Sequence, residues 1–412
     1  MITIGRKRVC CGCSACALKC PTKCISLIED SEGFLYPRIN TDDCINCGLC
    51  ERVCPVLNNK KEIEPLKTIA AINKNEEIRM HSSSGGIFSF LSEQIINQGG
   101  VVFGAKFNDK WEVIHSYTDS IEKLRDFRGS KYVQSIIGTS YKKAEDFLIQ
   151  GRKVLFSGTP CQIAGLKLYL QKDYQNLLTV DFICHGVPSP KVWKMYLEEI
   201  CEFKIGVSLS RYSNNPKRKT RYEIDNIEFR NKNSGWKRFS VSFSLLDSNN
   251  YKNNKCILEE FDKNLFMIGF LKNLYLRPSC HKCPVRDLKS GSDIKICDFW
   301  GIDNVLPDFD DNRGASAVII NRADLLATFS DNTKIEYREV SYGQIYSSNC
   351  ALKKNLNPHR RRSKFFRKIG QQNLLELISQ ITEETYLDIL IKECENCFVR
   401  GMNKIKKIIN NL

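Results

Sequence analysis

Cysteines at fixed spacing are where this sequence carries chemistry. The stretch CCGCSACALKCP places Cys10, Cys13, Cys16 and Cys20 ahead of Pro21, and CINCGLCERVCP places Cys44, Cys47, Cys50 and Cys54 ahead of Pro55. Both read C-x2-C-x2-C-x3-C-P, an internal repeat. Three thiolates two residues apart wrap one 4Fe-4S cubane in a tight loop, and the fourth, past a three-residue spacer, points away from it. Structural zinc normally takes pairs of C-x2-C separated by a longer loop. Two overlapping C-x2-C pairs followed by a fourth Cys and Pro, twice, argue against that use. Radical chemistry on S-adenosylmethionine is disfavoured, because its C-x3-C-x2-C spacing does not occur. Cys11 and Cys24 fall outside the register and read as small packing residues.

A second set of thiols lies deeper in the chain. Residues 152–183 read as strand KVLFSG, a helix from about Cys161 to Leu170, then strand LLTVDFI. That is a right-handed βαβ unit of a parallel sheet, whose ligands gather outside the carboxyl ends of the strands. Cys161 follows the first strand in GTPCQ and Cys184 follows the second in ICHG, so the two should meet at one crevice. Cys280 and Cys283, a C-x2-C pair in LRPSCHKCPVRD, would complete a four-thiolate site and a third 4Fe-4S cluster. The competing reading gives that pair to zinc, with Cys394 and Cys397 of KECENC near the C-terminus. Cys201, Cys256, Cys297 and Cys350 have no partner at ligand spacing and read as packing residues. His185, beside Cys184, is a candidate proton donor, with simple hydrogen bonding in a turn as the alternative.

The elements that must hold these groups follow from composition and pattern. At 412 residues the chain is long for one core. Twenty cysteines without a secretory h-region favour metal or thiol chemistry over disulfides. No apolar run approaches the length of a membrane span, and the expected protein is soluble and cytoplasmic. The formal charge of +15 suits nucleic acid, a membrane surface or an acidic protein partner, or simply keeps the chain soluble. LNNKKEIEPL reads as a linker after the cassettes. HSSSGGIFSFLSEQIINQGG reads as a Ser/Gly turn opening a helix, able to face an anion with free N-H groups, or else as ordinary serine capping. VVFGAKF reads as a strand. Between 205 and 250, NIEFRNK and WKRFSVSFSLL read as strands of an antiparallel insertion or edge beside the parallel sheet, and the polar stretch SNNPKRKTRYE reads as a loop. After about residue 335 the pattern turns helical and basic in NPHRRRSKFFRKIG. Such a segment is more often a solvated face with aromatics in the core than a grip on nucleic acid; docking of an acidic ferredoxin is a third use. The pair Cys394 and Cys397 falls in an amphipathic helix, ETYLDILIKECENCFVRGMNKI.

Residues 1–58 resemble bacterial two-cluster ferredoxins, in which the fourth cysteine of each cassette ligates the other cluster. The resemblance gives one cluster Cys10, Cys13, Cys16 and Cys54, and the other Cys44, Cys47, Cys50 and Cys20. The motifs SSSGGIFSFL, RGSKYVQS, VLFSGTPCQIAGLK, VDFICHGVPSP, the C-x2-C pair and SDIKICDFWG occur in that order. Over about residues 67–325 they resemble the family of coenzyme F420 hydrogenase/dehydrogenase beta subunits. The resemblance implies an α+β ferredoxin-like two-cluster module (1–58) and then an α/β domain with a mainly parallel sheet, divided into a flavin-binding part (67–150) and a C-terminal region (151–325). A basic helical segment (335–412) would close the chain. It further implies an iron-sulfur flavoprotein oxidoreductase with a bound FAD, a small organic or deazaflavin-like substrate and a redox partner such as a ferredoxin; the alternative is an electron-transfer subunit without its own substrate site that feeds a partner enzyme. Ser82, Ser83, Ser84, Gly85, Gly86 and Lys131 would lie near the flavin, Gly158 and Thr159 would line the same crevice, and Lys131 would stabilise the reduced flavin. Cys161 would be a cluster ligand beside the flavin, with Cys184, Cys280 and Cys283. Cys297 stands where the family pattern IGDFWG has glycine, putting a fifth thiol near that set.

Overall fold

The computed structural model describes residues 7–58, 62, 64–202, 222–247, 254–286, 288–330, 333–349, 352 and 356–383. Cys350, Cys394, Cys397, the helix expected around the last two, and all but the end of the SNNPKRKTRYE loop lie outside the described residues.

The two cassettes share one backbone design. Each holds a short helix, Ala15–Lys19 and Leu49–Arg52, and each has left-handed residues at the same two places: Gly12 and Ser14 in the first, Asn46 and Gly48 in the second. Alternation of right- and left-handed residues turns successive N-H groups toward one centre, the backbone cradle that anions and iron-sulfur clusters use. Between the cassettes, β1 (Ile25–Glu29) and β2 (Leu35–Ile39) form an antiparallel hairpin.

The body is built on one eight-stranded sheet. Its strands are β3 (Lys67–Asn73), β4 (Val101–Phe107), β5 (Val113–Thr118), β6 (Val154–Gly158), β7 (Leu177–Phe182), β11 (Ile294–Asp298), β12 (Ser316–Ile320) and β13 (Ile335–Glu339), in the order β13-β3-β12-β11-β7-β6-β4-β5. The central strands β4, β6, β7 and β11 are parallel, as their continuous apolar runs predict; the four flanking pairings are antiparallel. Because β3 and β12 share this sheet with β6 and β7, the regions 67–150 and 151–325 share a core. The C-terminal segment also departs from the helical expectation at its start: IEYRE, buried at Ile335 and increasingly exposed toward Glu339, adds edge strand β13 to β3 before the chain turns helical. A separate antiparallel sheet of β8 (Tyr222–Asn231), β9 (Ser240–Asp247) and β10 (Lys255–Glu260) fulfils the expected insertion.

Each face of the large sheet is covered differently. Helix Ile87–Asn97 buries Ile87, Phe90 and Leu91 against Val102, Leu155, Val180 and Ile294. On the other face, helices Ser140–Ile149 and Pro160–Leu170 pack with Phe103 and Phe156, and the ferredoxin module adds Cys11, Ala15 and Val53 to the same core. In the basic segment Phe365 is fully buried and Phe366 packs beside it, while Arg362 forms a two-pronged ion pair with Glu32 of the β1–β2 hairpin (2.5 and 2.8 Å). These aromatics and this arginine are committed to packing and to holding the module. No described helix is long and apolar enough to cross a membrane.

Candidate functional site: three thiol-lined centres along one path

The inner ferredoxin centre gathers Cys10, Cys13, Cys16 and Cys54, all buried. Burial, followed by the nearby Cys10 and Cys54, pushes the Cys16 thiol up to about 12. Cys20, Cys44, Cys47 and Cys50 line a second cavity of about 350 Å³, where Cys47 is exposed to solvent. Cys54 lies near Cys10 and Cys16 of the first cassette, and Cys20 lines the cavity of the second. Cys24 also faces the second cavity, its sulfur 3.4 Å from that of Cys20.

A third cavity, of about 610 Å³, is lined by Cys161, Cys184, Cys280 and Cys283. Each thiol has its own anchor. Cys161 is the second residue of helix Pro160–Leu170, Cys184 lies just past β7, and the last two belong to the turn that starts at Pro278. Burial is the leading cause that raises the thiols of Cys184, Cys280 (to about 12) and Cys283 (to about 11), and the neighbouring cysteines add to it. Each would be a thiolate only with a cation in the cavity. Among the described residues no group of three or more His, Cys, Asp or Glu is arranged to hold a single metal ion. The thiols surround volumes instead, and a four-sulfur shell around a volume fits the donor chemistry of a cubane.

Two other thiols fall where their spacing did not point. Cys297 hydrogen-bonds weakly to the Ala317 carbonyl (3.7 Å) and is absent from the lining of the four-thiol cavity. Cys11 does line it, and its sulfur interacts with both Cys13 and Cys161. It thus joins the inner ferredoxin centre to the third one. Local register could not reveal this, because the contact depends on how the module docks.

The GTPCQ turn explains itself as a helix cap. The Thr159 N-H donates to Gln162 Oε1 (2.9 Å), the Thr159 hydroxyl lies 3.2 Å from Cys161 Sγ, and Gly158 faces Gln162 and His115. Gly158 and Thr159 are thus turned inward, and the cavity wall begins at Pro160. His185 lines the cavity, but its Nε2 pairs with Asn273 Oδ1 (2.8 Å) and its ring meets the edge of Phe270. Burial pushes its pKa down.

The Ser82–Gly86 turn sits at the same carboxyl edge, against the end of β3 and the start of β12. Most of its polar groups are already used. Ser82 donates to the Ile78 carbonyl, Ser83 pairs with Ser130 (2.9 Å), Ser84 donates to the Ala315 carbonyl and the Gly85 N-H donates to Ser316. Gly86 opens helix Ile87–Asn97 in a left-handed conformation without a side-chain cap. Arg128 reaches that opening, donating to Ser89 Oγ at 3.0 Å. Lys131 differs from expectation: its ammonium donates to the carbonyls of Asp126, Arg128 and Gly129, so it braces its own loop. Lys232 does likewise with the carbonyls of Arg79, Ser84 and Arg313. Buried Arg230 links the turn to the end of β11, donating to the Ser83 carbonyl and to Asp298. Trp300 lies beside it, stacked on Trp236. Arg230 and Lys232 carry no spacing signal: in the sequence they are two lone cations at and just past the end of a strand.

Comparison with known proteins agrees with this layout. Residues 151–342 match the family described as the C terminus of the coenzyme F420 hydrogenase/dehydrogenase beta subunit, and residues 9–58 match the 4Fe-4S dicluster domain. One of the subunits of the F420H2 dehydrogenase of Methanosarcina mazei is 24% identical over 186 residues, 43% of this chain and 53% of that protein. The coenzyme F420-dependent sulfite reductase of Methanocaldococcus jannaschii is 24% identical over 163 residues, 39% of this chain and 25% of that protein. A polyferredoxin-like protein of the same organism is 34% identical over 68 residues, 15% of this chain and 40% of that protein. The chain therefore spans about half the length of the first of these relatives and less of the other two. A chain from the F420-reducing NiFe hydrogenase complex of Methanosarcina barkeri superposes with a TM-score of 0.43 at 14% identity, covering 76% of this chain and 94% of that one.

Proposed function

Residues 151–342 belong to the family of coenzyme F420 hydrogenase/dehydrogenase beta subunits and follow a 4Fe-4S dicluster domain, and on that basis we propose that the chain is an iron-sulfur flavoprotein oxidoreductase. Cys10, Cys13, Cys16 and Cys54, and Cys44, Cys47, Cys50 and Cys20, would hold the two ferredoxin clusters, Cys161, Cys184, Cys280 and Cys283 a third 4Fe-4S cluster, and the Ser82–Gly86 edge an FAD; together these groups would supply one-electron transfer to and from a flavin. The observation that carries this reading is the meeting of four thiols from three chain segments in one cavity that Cys11 connects to the ferredoxin module.

The flavin part rests on fit. The uncapped helix start at Gly86 and the guanidinium of Arg128 suit the diphosphate of a dinucleotide. The hydroxyls of Ser82 and Ser84 do not, since they are spent on carbonyls. Arg230 ties that turn to Asp298 at the end of β11, with half-buried Trp300 beside it. When bound, a flavin exchanges single electrons with clusters and a hydride with an organic substrate. The relatives' names make a deazaflavin such as F420 the first substrate to try. A redox partner protein would dock where Cys47 and Ile45 expose the outer cluster.

The test is anaerobic purification with iron, sulfide and flavin counted per chain, wild type beside Cys161→Ser. Three cubanes predict about twelve irons with one flavin, falling to about eight irons in the variant. About eight irons in both proteins, or zinc in place of iron, would overturn the third cluster.

A further inference from the structure

Burial makes a cluster harder to reduce, whereas positive charge and hydrogen bonds to its sulfurs make it easier. The four cysteines of the inner ferredoxin centre are buried, while Cys47 of the outer one is exposed. Burial alone would therefore leave an inward-moving electron stranded on the outer cluster.

One residue opposes this. Arg277 is fully buried between the ferredoxin module and the third cavity. Its Nε donates to the Cys10 carbonyl (2.8 Å), Nη1 to Gln134 Oε1 (2.9 Å), and Nη2 to the Leu35 carbonyl (2.9 Å) and toward Cys10 Sγ (3.7 Å). The guanidinium lies over the ring of Tyr36, 4.3 Å from its centre. None of these partners is a carboxylate. These hydrogen bonds and the Tyr36 face satisfy the guanidinium's donors but do not neutralise its charge, and burying a charge without a nearby anion is costly. The cysteinate-bound cluster at Cys10 is the anion this position offers. Arg277 also stands three residues before Cys280, so the same charge borders the third centre.

We propose that Arg277 raises the reduction potential of the inner ferredoxin cluster and so makes it the relay to the third. Each step moves one electron: the outer cluster is reoxidised as the inner one is reduced, with a reduced partner protein as the donor. The role rests on the cluster reading above.

The experiment is a redox titration followed by electron paramagnetic resonance on the full chain, anaerobically reconstituted. Wild type is compared with Arg277→Gln and with Gln134→Glu, which sets a carboxylate against Nη1 and cancels the charge without deleting it. A soluble paramagnetic chelate identifies the outer cluster by broadening its signal. Both variants are expected to keep about twelve irons, to lower the midpoint of the unbroadened inner cluster and to leave the outer one in place. Unchanged inner midpoints at full iron content would overturn the proposal. If Arg277→Gln fails to load iron, Gln134→Glu and the wild-type order decide: an inner midpoint below the outer one in wild type is equally fatal. A wild-type protein without any 4Fe-4S signal would instead overturn the cluster reading, and this inference with it.

Discussion

His115 shows how a single buried side chain ties this active edge to pH. Its Nδ1 meets Ser135 Oγ (2.9 Å), its Nε2 meets the Ser157 carbonyl (3.0 Å) and its ring stacks on Phe156. Burial pushes its pKa down to about 4. The folded state therefore binds the proton less readily than the unfolded chain, so stability is full above the ordinary pKa of about 6.5 and is lost as pH falls from there toward 4. Between pH 7 and 5 the loss is about 2 kcal/mol. Thermal unfolding of wild type and His115→Gln across that range should show wild type falling further by this amount; parallel curves would show that His115 does not titrate as described. The thiols teach a related lesson about legibility. Spacing picked out the eight cassette cysteines, and strand ends with a C-x2-C pair picked out the four that line the third cavity, because such registers are local. It read Cys11 as a packing residue, and Cys11 is buried in the core, but the contact with Cys161 was hidden because it arises from docking two modules. Arg277 and Arg230 were equally hidden: a lone arginine has no period, and its partners lie far away in the chain.

At the level of elements, the parallel core was legible because VLF and LLTV are buried on both faces, whereas the flanks were not. Whether SAVII and IEYRE run with or against β11 and β3 depends on connections, and their short patterns do not encode it. The docking of the β1–β2 hairpin depends on similar long-range fits. Ser189 Oγ donates to the Glu32 carbonyl, Lys191 Nζ to the Ser31 carbonyl (3.0 Å), and Arg362 pairs with Glu32. Gly33 sits between them in a left-handed conformation (φ 86°), and a Cβ there would collide with the Lys191 side chain and come within 2.9 Å of its backbone nitrogen. Gly33→Ala should thus cost about 2–4 kcal/mol, from the backbone conformation and the overpacking together. Hydrogen exchange should show faster loss of amide protection across 30–36 and a lower melting temperature. Unaltered protection there would mean that the hairpin docks without this fit.

On the scale of the whole molecule, the three centres differ in their access to solvent, and the inner one is the most buried. The outer one exposes Cys47, the inner one is sealed against helix Pro160–Leu170, and the third lies at the carboxyl ends of β6 and β7. The Ser82–Gly86 turn is on the same edge of the sheet, at β3 and β12, with β11 between it and the thiols of β7. Two strand spacings, about 10 Å, separate β12 from β7. On the proposed reading, an electron supplied by a protein would enter at the outer cluster, and one supplied by a small hydride donor at the flavin. Cys47→Ser separates the two ends. It removes the exposed ligand of the outer centre, far from the cavity that Cys161 shares with Cys184, so about four irons should be lost and about eight retained. In stopped-flow mixing, flavin reduction by a reduced ferredoxin should slow at least tenfold. Reduction by a deazaflavin or nicotinamide hydride donor should keep its wild-type rate, and the two remaining clusters should still fill from the flavin side. Equal rates with the ferredoxin in both proteins would place the docking surface elsewhere and leave the outer cluster off the path.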